Sequence, residues 1–238
     1  MTAIKTESIS IIAPKKSAKS RITAASDYTD RAFFWIKWPI AVVAVVLLPM
    51  TLVAFFGSIA GAAISWTILP LLGGTAIYFA LWWGYFKDRK LGSFLATLEH
   101  ELTHALFALV TLHPVTGIKS SWRRGGHLTF KGKGNWLITI APYFFPLPCM
   151  LLLGTLWLFP ENLQNYSHAL IGMGLGYHFT STFRETHSGQ SDLKQVGWLF
   201  SLMFLPFANL FCLGMIFSFV SASSAGIGEF FRSLVWFL

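Results

Sequence analysis

Cysteine is nearly missing from this chain of 238 residues: only Cys149 and Cys212 occur, both inside apolar runs. That excludes a cysteine zinc cluster and argues against a disulfide framework. Charge is scarce as well. Asp, Glu, Lys and Arg make up 12% of the residues, about half of what a soluble domain carries. Acids are the scarcer sign, 10 against 18 basic residues, for a net charge of +8. The positive excess is concentrated in the polar segments, where it suits membrane topology and contact with anionic lipid. No arginine-rich groove or base-stacking motif accompanies it, so nucleic acid is not an expected partner. There is no internal repeat, and the glycine-rich Lys131-Gly132-Lys133-Gly134 cannot be written as GxxxxGK followed by Ser or Thr, which excludes a phosphate loop.

What is there is hydrophobic. Apolar residues make up 54% of the chain and mean hydropathy is +0.59, and several stretches approach the ~20 residues that cross a bilayer. The fold class expected is an all-α polytopic membrane protein with about six transmembrane helices. An integral, multi-pass location follows, a bacterial inner membrane being the expected one. Residues 1–35, rich in Ser, Thr, Ala and Lys, read as a basic mobile or interfacial tail. The apolar run behind it is expected to stay as a membrane helix, since a cleavable signal has a shorter basic start and a shorter apolar centre. Residues 36–86 read as an accessory helical hairpin turning at Gly57–Gly61, and Lys87 to Lys90 mark a membrane surface.

Residues 87–196 hold the polar groups that need a reason to be in hydrocarbon. A helix is expected from about Leu91 to Leu112, stopped by His113-Pro114. Within it His100-Glu101-Leu102-Thr103-His104 sets two imidazoles one turn apart on one face, with a carboxylate on the flank. Such a pair can share one zinc ion, and the adjacent carboxylate can take a proton from water held there. Residues 115–134 carry five basic residues and no acid. They read as a short membrane-associated β-hairpin, Val115–Ser121 and His127–Lys131 around a glycine turn at Gly125-Gly126. A fourth helix over about Asn135 to Phe159 should kink or open at Pro142, Pro146 and Pro148. A short, glycine-bearing fifth follows over about His168 to Phe183, then a polar string to Asp192. Residues 197–238 supply the final transmembrane helix and an interfacial C-terminal helix with Phe230, Phe231, Leu234 and Trp236 around Arg232.

A catalytic zinc takes three protein ligands and keeps one position open. If helices three and five cross in the same direction, their C-terminal ends share a side, and the string 184–192 can fold back to the histidines. Asp192 is the first candidate as third ligand, because a hard anionic oxygen offsets the metal's charge; it is also good N-cap chemistry for the next helix. Glu185 and His187 follow as alternative ligands. His178, mid-helix, reads as a packing residue or as a contact behind the ligands. His113, His127 and His168 are given no role.

The segment HELTHALFAL resembles the HExxHAxxA helix of the site-2 protease superfamily, the M50 intramembrane zinc metallopeptidases. HSGQSDL is similar to the SD-containing segment of the M50B-like branch, and a hairpin between the HExxH helix and a returning helix is also similar to that family's core. The likeness covers about residues 91 to 195. Many members carry Asp-Gly at the third-ligand site, whereas Leu193 follows Asp192 here, and no PDZ domain is visible. The resemblance implies a zinc metalloendopeptidase acting on membrane-protein substrates with a transmembrane segment. One catalytic Zn2+ would be held by His100, His104 and Asp192, with Glu101 as general base. Rival expectations are a membrane metal transporter, which should show several metal motifs along a route, a CaaX-type membrane zinc protease with a glutamate ligand, for which Glu185 is available, and a non-catalytic membrane scaffold. Diiron hydroxylases need many more closely spaced histidines.

Overall fold

The computed structural model describes residues 18–87, 90–121, 125–155, 163–186 and 190–235. It is mostly helical with one two-stranded hairpin. Among the described residues three helices are long and apolar enough to cross a membrane, or four when a bent pair counts as one span. The first is α1, Ala18–Ile64, which runs without a break through Pro39 and Pro49. It starts well before residue 36, so the second half of the segment expected as a tail is helical, and residues 1–17 lie outside the described residues. The expected turn at Gly57–Gly61 is absent. Those residues stay in α1, where Gly61 lies against Ser221 and Ser58 Oγ is 2.6 Å from Ser218 Oγ. Small residues are used for close helix packing. The chain turns instead at residues 65–67, with Trp66 at φ +60°.

The second span is α2, Ile68–Leu81, continued by a π-helical segment Trp82–Phe86. Next comes α3, Lys90–Val110. Its end is as expected near Pro114, but the device is local: Leu112 takes φ +63° and the His113 N–H donates to the Ala108 carbonyl at 2.7 Å, satisfying an end carbonyl in the left-handed manner of helix C-termini. The strands β1, Val115–Ser121, and β2, Gly125–Phe130, pair antiparallel, Ser121 opposite Gly125 and Val115 opposite Phe130. Gly125 and Gly126 are therefore strand residues rather than the turn, and the connecting residues 122–124 lie outside those described.

The proline-rich fourth segment breaks as its sequence requires. It consists of α4, Trp136–Ile140, a 3-10 turn at Ala141–Tyr143, and α5, Leu147–Thr155, bent by 89°. Asn135 caps α4, its side-chain oxygen accepting from the Ile138 N–H at 3.3 Å, an interaction worth about 1 kcal/mol. α6, Gln164–Glu185, is longer than its sequence suggests. A short α7, Ser191–Val196, ends at Gly197 with φ +95°, and α8 covers Trp198–Val235.

Among the described residues three apolar clusters hold this together, two of them large. One packs Ala41 and Ala44 of α1 against Trp136, Leu193, Phe200 and Phe204; the other joins Ala62, Leu71, Cys149, Ile171, Leu175 and Ile216. Within α8, Ala222 and Ser223 leave helical geometry, Ser223 at φ +53°. The chain then doubles back and sets Phe230 against Phe211, centroids 5.7 Å apart. The expected interfacial helix is thus partly a packed one: Phe230 and Leu234 are buried with Ala54 of α1, Phe231 stays exposed, and Trp236 lies outside the described residues.

Candidate metal centre

His100 and His104 project from one face of α3, ring centroids 4.6 Å apart, as a spacing of four requires. Asp192 reaches them from the first turn of α7. Its Oδ2 lies 3.2 Å from His100 Nε2 and 3.4 Å from His104 Nε2. Each residue offers one ligand atom and these lie within 4.8 Å of one another, so the group could hold a metal ion. Both histidines are buried and Asp192 is half-buried.

The donor chemistry fits a cation. His104 Nδ1 is 2.6 Å from the Ile138 carbonyl; a carbonyl only accepts, so Nδ1 carries a proton. In a neutral imidazole Nε2 is then a lone pair, and it faces a carboxylate oxygen. Lone pair and anion both want a positive charge between them, which is how metal-bound histidines are oriented through their other nitrogen. Without a cation a proton has to lie between them instead. In that state burial works against the Asp192 charge, but hydrogen bonds from His100 and His104 outweigh it and hold the carboxyl well below the usual carboxylate range.

Several residues that sequence reasoning passed over support this group. Tyr143, on the 3-10 turn, donates its hydroxyl to Asp192 Oδ2 at 3.3 Å and sets its ring 5.6 Å from that of His100. Asn209 of α8 donates to the Tyr143 carbonyl at 3.1 Å, tying the turn to the last long helix. Lys37 of α1 donates to the Val196 carbonyl at 2.7 Å, where α7 ends, with its ammonium 5.1 Å from the Phe200 ring. The proline run was a signal for the open turn; nothing in the sequence pointed to which polar side chains would meet there.

Glu101 is buried beside the histidines. Gly126 of β2 lies directly on it, so close that an added Cβ would collide with Glu101 Cγ. This explains the glycine inside the strand: the hairpin can close over α3 only where it has no side chain. His100, His104, Asp192, Glu101, Gly126 and Lys133 border one cavity of about 430 Å3. A second, of about 620 Å3, adjoins it through the shared Lys133, Gly134, Thr139 and Gln195 and extends to Arg31 and Trp35 of α1.

Of the remaining candidates, only His178 falls wholly among the described residues. His178 is buried in α6, 3.4 Å from Thr182 Oγ1 of its own helix, and does not border the cavity. Glu185 ends α6, with its side chain outside the described atoms, and His187 lies outside the described residues. His113, given no role from sequence, is fully buried with Nε2 2.9 Å from Asp30 Oδ1.

Comparison with family models, with curated proteins and with solved structures finds no match to this chain. The functional reading is carried by the residues themselves.

Proposed function

We propose that the chain is a zinc-dependent intramembrane endopeptidase that hydrolyses peptide bonds of membrane-protein substrates. One observation carries this reading: ligand atoms of His100, His104 and Asp192 within 4.8 Å of one another, with Glu101 buried alongside in the same cavity. Two neutral nitrogens, one carboxylate and space for solvent make the donor set of a catalytic rather than a closed structural zinc. A zinc ion bound there would supply an activated water and polarise the scissile carbonyl.

The chain's own residues then have distinct tasks. Glu101 takes a proton from water and returns it to the leaving amine. Ile138, through its carbonyl, fixes the tautomer of His104, and Tyr143 orients Asp192. The free edge of the two-stranded hairpin offers backbone groups to an unwound substrate segment. In this reading α3 and α6, too polar to qualify as spans by composition, complete about six membrane segments with their polar residues turned inward. The resemblance of HELTHALFAL and HSGQSDL to the site-2 protease superfamily supports the same assignment.

The test uses the full chain purified in lipid nanodiscs, with metal content and cleavage of a transmembrane substrate measured side by side. Glu101→Gln is expected to keep zinc and lose hydrolysis. Cleavage retained in that variant removes the enzyme assignment, and zinc flux into proteoliposomes unaffected by it would favour transport.

A further inference from the structure

A cleft that shares no lining residue with the cavity at the metal group combines cations and aromatics in a way that points to a ligand. α2 and α6 approach most closely through glycine: a Cβ on Gly74 would collide with the Ala169 carbonyl, and one on Gly172 with that of Leu71. Past Tyr78, whose hydroxyl accepts from Thr180 at 3.4 Å, bulky rings replace glycine and a cleft of about 640 Å3 opens. Phe79, Trp82 and Trp83 form one wall; Phe179 and Phe183 form the other. The first wall includes the π-helical segment, closed by the Lys87 N–H donating to the Trp82 carbonyl at 2.8 Å. Such widened turns occur frequently at functional sites.

Each wall ends in a cation. Lys87 Nζ lies 4.2 Å from the Trp83 ring centroid, and the Arg184 guanidinium carbon lies 5.8 Å from that of Trp82. Among the described residues no acid borders the cleft. Over 87–90 and 184–185 the sequence carries four basic residues against two acids. Trp83 and Phe183 are 75% and 87% exposed, and they flank a span whose composition calls for lipid around it. Aromatic and basic side chains together are the usual furniture of the membrane–water boundary, but a concave pair of aromatic walls closed by two cations has the shape and charge of a receptor.

We propose that this cleft binds an anionic phospholipid, its phosphate between Lys87 and Arg184 and the start of one acyl chain against Phe79, Phe179 and Phe183. A zwitterionic lipid fits less well because its own cation adds to the two already there. This site is independent of the metal group and of the proposed reaction.

The test is tryptophan quenching in the full chain, reconstituted in phosphatidylcholine vesicles doped with acyl-brominated phosphatidylglycerol or with the same amount of brominated phosphatidylcholine. The brominated anionic lipid is expected to quench in excess of the zwitterionic one. Its apparent affinity should fall about fivefold for each basic group removed by Lys87→Gln and Arg184→Gln, from the usual strength of one basic residue toward an anionic membrane. The exchange of Lys87→Arg with Arg184→Lys should keep it. Equal quenching by the two lipids, or an excess that survives loss of both charges, overturns the proposal. Should the doubly neutralised chain fail to fold, Trp82→Phe with Trp83→Phe decides: an undiminished excess then overturns it.

Discussion

Two histidine–aspartate contacts lie along α3, one at its middle and one just past its end, and they are built oppositely. Past the end, one imidazole meets one carboxylate: His113 Nε2 is 2.9 Å from Asp30 Oδ1 and its other ring nitrogen is 3.1 Å from Thr111 Oγ1. The ring is fully buried, Gly132 is pressed against it, and Asn135 donates to the same Asp30 oxygen at 3.4 Å. Nδ1 has Thr111 as its partner, while Nε2 approaches Asp30 at ion-pair distance without hydrogen-bond geometry, and the contact joins α1, the end of α3 and the exit of the hairpin. At the middle, two imidazoles meet one carboxylate beside a cavity, and a protonated Nδ1 on His104 leaves a lone pair aimed at an anion. Residue type does not separate a latch from a group that could hold a metal ion. The surplus of acceptors and the access of solvent do.

That contrast can be broken or sharpened by substitution. The largest effect is expected from Glu101→Gln, which should reduce peptide hydrolysis by roughly 10²- to 10⁴-fold, the usual worth of a general base, while metal content measured by mass spectrometry stays at the parent level. His104→Ala should abolish metal retention, from about one equivalent to none after dialysis, because two ligands hold zinc poorly. The end of α3 should respond the other way. His113→Ala leaves the buried Asp30 carboxylate with the Asn135 hydrogen bond but no imidazole, and thermal unfolding should show a loss of about 3 kcal/mol, the low end for broken buried pairs, with metal content unchanged. A loss of metal in His113→Ala equal to that in His104→Ala would erase the distinction. Gly126→Ala pushes a methyl group into Glu101 and should lower hydrolysis about tenfold at full metal content, since a displaced base loses its geometry. An effect of the same order is expected from Tyr143→Phe, which removes one hydrogen bond behind Asp192 and should weaken metal affinity by about tenfold in a chelator competition.

The metal group was legible because its logic is local. A spacing of four on a helix puts His100 and His104 on one face whatever the tertiary structure, and a proline after His113 must stop that helix. Asp192 was reachable from chain parity and charge, and the break of the fourth segment from its prolines. The parts that escaped depend on contacts between distant segments. Gly57 and Gly61 look like a turn in isolation, yet small residues also let helices touch, and Ser221 on α8 decides between the two. Gly126 looked like a turn residue until Glu101 took the space its side chain would fill. Tyr143 and Asn209 are ordinary residues in apolar runs; only the 89° bend brings the first to Asp192, and only α8 brings the second to the bend. The reversal at Ala222 and Ser223 lies within a run of Ser, Ala and Gly too mild to announce a stop.

The grip of Lys37 on the Val196 carbonyl makes the longest helix of the molecule a splint for one of its shortest. Asp192 sits at the far end of that splinted piece, so its aim depends on a lysine that touches neither histidine. Wear on the outer helix would be felt as slackness at the centre.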